Sequence, residues 1–397
     1  MVKLNSNYLS LKETYLFAEI GKRVEAYKEK NPNKRIIKMG IGDVTRPLPR
    51  TIVEAMKKAC DDMACAETFK GYGPYEGYEF IREKIAAYYK SNTGVDIDIS
   101  EIFVSEGAKS DVANITDIFD KDNTVLIPDP VYPVYLDTNI MDGRNVVYMP
   151  GNEENGFLPM PSTEYDGQII YLCSPNNPTG AVYTREQLKK WVDYANENQA
   201  VILFDAAYES FVTGTELPRS IYEVDGARSC AIEFCSFSKL AGFTGTRCSY
   251  TIVPKGIIRD GRSLRDTWMR RQSTKYNGVS YIIQKGAESV FSEEGMKEIR
   301  QNISFYKENA AILAQGLDEV GIKYFGGKHS PYIWLKCPDN MGSWELFDYL
   351  LNNIGVVGTP GEGFGSQGEG YFRLTSFGSR EDTIEATRLL KELFKKN

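Results

Sequence analysis

The sequence predicts an α/β fold in which a large domain, built on a mainly parallel sheet flanked by helices, carries a smaller α+β domain. Two observations predict it. Short apolar runs alternate with amphipathic stretches of helical period through the middle of the chain. Near residue 290 this alternation gives way to one long helical stretch followed by isolated strands.

Taken in order, KETYLFAEIGKRVEAYK (12–28) is a helix that packs on its own chain or reaches a partner subunit. The runs IFVSE (102–106), TVLIP (124–128), IIYLC (169–173), VILFD (201–205), AIEFC (231–235) and SYTIVP (249–254) are expected strands, suited to a sheet covered on both faces. EGYEFIREKIAAYYK (76–90) and TREQLKKWVDYANEN (184–198) are expected helices. Beyond them come a helix over about 294–320, the strand YIWLK (332–336), a helix at SWELFDYLLNN, the segment YFRLTSFG (371–378) and a terminal helix. With no repeat and no low-complexity linker, the domains interleave: 1–45 as an N-terminal arm and part of the small domain, 46–289 as the large domain, 290–397 as the small C-terminal domain.

Composition narrows the partners. Lys and Arg number 47 against 54 Asp and Glu, for a net charge of -7, and the basic residues are spread along the chain. Neither nucleic acid nor an anionic membrane surface is an expected partner, so small molecules remain. No apolar run of about eighteen residues exists and the N-terminus lacks a leader pattern, which gives a cytoplasmic expectation. Seven cysteines without a C-x-x-C pair read as buried free thiols. The single histidine, His329 in GGKHSPY, reads as a loop residue, so no metal centre and no His-based nucleophile is expected. Acid–base chemistry would fall to a lysine or a carboxylate.

Polar residues cluster after the strands, where open α/β sheets bind ligands. Gly107-Ala108-Lys109 follows IFVSE; SPNNPTG (174–180) follows YLC; Asp205 ends VILFD, with Tyr208 three residues on; Ser236-Phe237-Ser238-Lys239 follows AIEFC, then Gly242, Gly245 and Arg247. Each has a bland reading. A glycine before a helix is commonly a turn, Asn177-Pro178-Thr179-Gly180 is a Pro-Gly turn, Asp205 caps the next helix, and Lys239 is a loop lysine.

The ordered set P-N-N-P-T-G, D-x-x-Y, S-x-S-K and G-x-x-G-x-R resembles the class I aminotransferases, pyridoxal-phosphate enzymes of fold type I, and the resemblance covers essentially the whole chain. It implies pyridoxal 5'-phosphate held on Lys239 as a Schiff base, amino-acid and 2-oxo-acid substrates, and a homodimer with shared sites. Asp205 would pair with the pyridine nitrogen, and Asn177 and Tyr208 would donate to the ring oxygen. Tyr132, in PDPVYPVY, would stack on the ring, the bland alternative being a core tyrosine. The phosphate would lie on the N–H groups of Ala108 and Lys109, on Ser236, Ser238 and Arg247, and on Tyr72 from across the dimer. Arg373, in YFRLTSFG, would clamp the substrate carboxylate, unless it is a structural ion pair.

Within that class the chain resembles the LL-diaminopimelate aminotransferases, in NYLSLKETYLFAEIGKRV, IKMGIGDVTRPLP, GYGPYEGYEFIRE and FSKLAGFTGTRC. Tyr15, Gly42, Lys109 and Asn277 would then touch substrate, beside Tyr132, Asn177 and Arg373, with Asn277 coming from the partner subunit. The family pattern G-Y-G-x-E-Q-G stands here as Gly71-Tyr72-Gly73-Pro74-Tyr75-Glu76-Gly77. Its acid has moved by one position to Glu76, the candidate partner for the substrate's second ammonium. That departure leaves an aromatic or shorter acidic substrate open, with Tyr75 in the pocket. A lyase or decarboxylase on the same cofactor frame also stays open. A pyridoxal-phosphate transcription regulator does not, since the N-terminus has no basic helix-turn-helix pattern.

Overall fold

The computed structural model describes residues 1–11, 16–40 and 42–395. Its large sheet has seven strands: β1 (Ile102–Ser105), β2 (Val125–Asp129), β3 (Val146–Pro150), β4 (Ile169–Cys173), β5 (Val201–Asp205), β6 (Ala231–Ser236) and β7 (Ser249–Ile252). Their order in space is β1-β7-β6-β5-β4-β2-β3, all parallel except β7, which runs antiparallel to both neighbours. Strands β1, β2, β4 and β5 are buried at every position, because both faces are covered.

Side chains alternate between two cores, as the two-residue period of a strand requires. Ile170, Leu172, Ile202 and Phe204 point to one, with Ile81, Ile85, Leu188 and Trp191; Ile169, Tyr171 and Leu203 point to the other, with Tyr135 and Trp268. The first core takes helix α3 (Glu79–Thr93) and α6 (Arg185–Glu197). On α6 the residues Leu188, Trp191, Val192 and Ala195 form a buried stripe, and the helix starts where Thr184 and Gln187 close a capping box. The second core takes α4 (Ala108–Asn114), α5 (Val134–Asp142) and α8 (Leu264–Lys275).

A second sheet of four antiparallel strands, β8 (Tyr324–Gly326), β9 (Tyr332–Lys336), β10 (Thr359–Pro360) and β11 (Tyr371–Thr375), has the order β8-β9-β11-β10. Helices α10 (Glu293–Glu319), α11 (Ser343–Ile354) and α12 (Arg380–Phe394) cover it through a separate core that includes Leu313, Leu350, Phe372 and Leu390. Helix α1 (Leu16–Lys30) packs on this part of its own chain, with Val24 and Tyr27 in the same core and Leu16 against Trp334 and Phe364. After it, Ile37–Lys38 pairs in parallel with Val356–Val357, and the Met39 carbonyl accepts from Thr375 N at 2.7 Å. The chain then crosses to the large sheet over the carboxyl ends of its strands.

Within the two sheets described, three strands lie outside the sequence expectation: β3, β8 and β10. Strand β3, VVYMP, is a half-exposed edge strand ending in Pro150; an edge tolerates that proline because its missing N–H is not needed. The cysteines are all free, but only five are buried; Cys60 and Cys65, on and just after α2 (Arg50–Ala64), are exposed. No described helix is long and apolar enough to cross a membrane.

Candidate active site

Strand register brings the motifs together. Cys173 and Asp205 are level across β4 and β5, and Ser105, Ser249 and Ser236 are level across β1, β7 and β6. Above this row lies a cavity of about 410 Å³, roofed by residues 42–43 and by Tyr332 and Arg373 of the small sheet.

Asp205 forms its floor. Ala207 N donates to Oδ1 at 3.0 Å, so one oxygen does cap the following turn, while the buried Tyr135 hydroxyl donates to Oδ2 at 2.6 Å. Burial pushes this carboxyl above its usual value, and the two donors pull the other way. A buried carboxylate held by neutral donors alone lacks a counter-charge, which a ligand carrying a positive or protonated atom supplies.

One wall is an anion cradle. Ser249 Oγ fixes the turn after β1, accepting from Gly107 N at 3.0 Å and meeting Ser105 Oγ at 2.9 Å. Gly107 sits at φ +135°, and a Cβ there would lie 2.0 Å from Arg247 Nη2, so only glycine admits the guanidinium. Ser236 caps α7 (Phe237–Ala241) by accepting from Ser238 N at 3.1 Å, and Ser238 Oγ accepts from Arg247 Nη1 at 3.3 Å. Arg247 itself holds φ 59°, a left-handed conformation uncommon for a side chain of its size. With Ala108 and Lys109 opening α4 on the same wall, the lining gathers a guanidinium, two hydroxyls and helix-start amides, a set suited to a phosphate-like group.

Lys239 enters between floor and cradle. Its Nζ donates to the Gly42 carbonyl and lies 5.3 Å from the Phe377 ring centre. Burial lowers its ammonium to about 8; Asp43 opposes this, and Arg373 and Arg247 add to it. A lysine so placed is neutral for a useful fraction of the time near neutral pH, as a nucleophile or proton carrier must be.

Opposite stands Arg373, 1% exposed. Nη1 donates to Asn177 Oδ1 at 2.7 Å, and Nη2 to the Gly40 carbonyl at 3.0 Å and Thr359 Oγ1 at 3.3 Å, all neutral acceptors. Because arginine only donates, the bond fixes the Asn177 amide with its oxygen toward Arg373 and its NH₂ free for the cavity. The turn carrying Asn177 is pressed on the small sheet at Gly180, where φ is +71° and a Cβ would meet Ser330 Oγ at 2.4 Å. Gly42 lies beside the same guanidinium. The hydroxyls of Tyr208 and Tyr332 hydrogen-bond each other, and Tyr132 lines the cavity with its ring edge-on to Tyr135, 5.9 Å between centres.

Three expected residues lie outside the cavity of their own chain. Tyr72 is 91% exposed, Asn277 is exposed, and Glu76 pairs with Arg82 at 3.8 Å. Their loops adjoin: a Cβ on Gly278 would stand 3.3 Å from the Pro74 carbonyl, and Tyr78 N donates to Gln284 Oε1 at 2.9 Å. Tyr15 lies outside the described residues. His329 accepts at Nδ1 from Thr213 N at 3.1 Å, holding two loops together away from the cavity.

Sequence reasoning missed eight lining residues, among them Phe17, Asp43, Tyr135 and Tyr332. Tyr135 was within reach, being three residues after Tyr132 and so on the same side of one turn. Tyr332 meets Tyr208 across 124 positions, and nothing local marks that distance.

The family model described as "Aminotransferase class I and II" matches residues 34–389. Among solved structures, the chain is similar to the L,L-diaminopimelate aminotransferase from Chlamydomonas reinhardtii, with 42% identity, 99% of each chain covered and a TM-score of 0.94. It is also similar to substrate-bound BacF from Bacillus subtilis, with 28% identity, 99% of this chain and 98% of that one covered and a TM-score of 0.86. An aromatic aminotransferase from Pyrococcus horikoshii is 26% identical, with 94% of this chain and 98% of that one covered and a TM-score of 0.82.

Proposed function

We propose, starting from the fact that the chain belongs to the class I and II aminotransferase family, that it moves an amino group between LL-2,6-diaminopimelate and 2-oxoglutarate. The observation that carries the substrate is the 42% identity, over 99% of both chains, with an L,L-diaminopimelate aminotransferase. In that reading the enzyme serves lysine biosynthesis, on the tetrahydrodipicolinate side of diaminopimelate.

Class I aminotransferases depend on pyridoxal phosphate, and the residues present fit that group. Asp205 is a buried carboxylate short of a counter-charge, as a pyridinium partner should be. Arg247, Ser236, Ser238 and the amides of Ala108 and Lys109 suit the phosphate, and Tyr132 lies where a ring face can rest. Lys239 Nζ would hold the cofactor through its aldehyde carbon. When bound, the cofactor supplies the electron sink that makes the substrate Cα–H acidic.

The chain's own residues do the rest. Asp205 would keep the proton on the ring nitrogen, and Tyr208 and the Asn177 NH₂ would donate to the ring oxygen. Arg373 orients the substrate α-carboxylate by a two-pronged contact. Lys239 Nζ would take up and hand back the proton at the substrate Cα.

A homodimer completes the site in this proposal. The loops holding Tyr72 and Asn277 adjoin on one exposed surface and would deliver both residues, with Glu76, to the partner. The separate sheets support the division at 45/46 and 289/290, although Ile299, Ile303 and Tyr306 of α10 pack into the large domain's core, and five buried free thiols are consistent with a cytoplasmic enzyme.

A panel of amino donors against 2-oxoglutarate, with glutamate assayed, tests the substrate. LL-diaminopimelate is expected to give the highest kcat/KM. Strong reaction with aspartate, glutamate or tyrosine and none with diaminopimelate would make the chain a general aminotransferase. Donor consumption without glutamate would make it a lyase.

A further inference from the structure

We infer that Tyr332 is a positioning residue that turns the Tyr208 hydroxyl into a donor toward the cavity and links it to the charge of Arg373. The inference rests on the proposed reading, in which Tyr208 donates to the ring oxygen of the cofactor.

Tyr208 and Tyr332 are both buried, their hydroxyls are hydrogen-bonded, and their rings meet at 69° with centres 5.0 Å apart. A phenol has one hydrogen to give, so if Tyr208 gave its own to Tyr332 it would have none for a ligand. The surroundings decide the direction. The guanidinium carbon of Arg373 lies 4.6 Å from the Tyr332 ring centre, and a cation on a ring face withdraws electron density and sharpens the acidity of its hydroxyl. Burial raises both phenols and the Arg373 charge lowers both, but it is the Tyr332 ring on which the guanidinium lies, so the polarisation falls on that hydroxyl first.

The better acid is the better donor, so Tyr332 gives its hydrogen to the Tyr208 oxygen. Tyr208, thereby polarised, offers its own hydrogen to the cavity. Backbone geometry fixes the arrangement: Tyr332 opens β9 opposite Thr375 of β11, and its N–H is anchored on Ser330 Oγ at 3.2 Å. The ring also stands edge-on to Phe377, with centres 6.3 Å apart at 89°. The hydroxyl is therefore aimed at Tyr208 by elements that do not depend on the hydrogen bond itself.

The test is a pH titration of the cofactor absorbance in the holoenzyme, without substrate, for the wild type, Tyr332→Phe, Tyr208→Phe and the double variant. Loss of a donor to the ring oxygen raises the midpoint of the colour change. Tyr208→Phe is expected to raise it by about 1–2 pH units and Tyr332→Phe by about half a unit or more. The double variant should titrate with Tyr208→Phe, because Tyr332 acts only through that hydroxyl. Since phenylalanine keeps the ring against Arg373, KM for the amino donor should stay within about twofold while kcat falls.

A wild-type midpoint in Tyr332→Phe, beside a shifted Tyr208→Phe, would overturn the inference and leave the site reading standing. A Tyr332→Phe shift that persists without the Tyr208 hydroxyl would overturn it as well. An unshifted Tyr208→Phe would remove both the inference and the donor role of Tyr208.

Discussion

Tyr135 Oη donates to Asp205 Oδ2 at 2.6 Å, the single side-chain hydrogen bond to this buried carboxylate among the described residues. Removing it leaves the Ala207 N–H as the remaining donor and makes the ionised form costlier by about 1–2 kcal/mol. Tyr135→Phe should lower kcat by roughly tenfold and loosen cofactor retention, since the carboxylate is then a weaker partner for a pyridinium. Stopped-flow half-reactions and a dialysis series measure the two effects. Unchanged values for both would reduce Tyr135 to packing.

Asp205 itself should matter far more. Asp205→Asn keeps the shape but removes the charge, and turnover should fall by a factor on the order of a thousand, as with other preorganised electrostatic contacts. A loss of only a few-fold in the steady-state assay would refute the pairing with the ring nitrogen.

The substrate prediction turns on where the second ammonium is neutralised. Glu76→Ala should cost about 2–4 kcal/mol in kcat/KM for diaminopimelate and leave a monoamino donor little changed. Asp43, the cavity-lining acid other than Asp205, is the control. A diaminopimelate-selective loss in Asp43→Asn, with Glu76→Ala unaffected, would give the ammonium to Asp43. Equal loss for both donors in Glu76→Ala would leave Glu76 as the structural partner of Arg82.

Away from the site, Glu233 predicts a pH dependence of stability. It is fully buried on β6, accepting from the Tyr89 hydroxyl, from Ser220 Oγ at 2.7 Å and from Ile221 N at 2.8 Å, and burial pushes its carboxyl from 4.5 up to about 7. Between those values the folded chain keeps a proton that the unfolded chain has released. Its contribution is therefore full below about pH 4.5 and lost as pH rises through about 7. Glu233→Gln stays neutral throughout, so its melting temperature relative to wild type should improve by a few degrees from about pH 5 to about pH 8. A pH-independent difference would show that the wild-type residue does not titrate there.

What the sequence made legible follows from locality. Lys239, Asp205 and Asn177 stand at or just past the ends of parallel strands and Arg247 just before the start of antiparallel β7, and register then brings all four to one edge without further information. The expected α/β architecture is the observed one for the same reason, since the long buried strands of the large sheet announce themselves as apolar runs. Strand β3 carries a short apolar run too, VVYM, but is a half-exposed edge strand and lay outside the expectation. Tyr332 depends on how the small sheet docks over the large one, which no short stretch of residues encodes. Tyr72, Glu76 and Asn277 are legible as motif positions, but they lie outside the cavity of their own chain and would reach a site only through the proposed dimer.

The most direct test of the central claim is to reduce the purified yellow holoenzyme with borohydride and map the modified peptide. The cofactor should be found on the peptide carrying Ser236-Phe237-Ser238-Lys239, and Lys239→Ala should lose both the reducible linkage and transamination. Cofactor trapped on any other lysine, or a Lys239→Ala protein that still transaminates, would contradict the account.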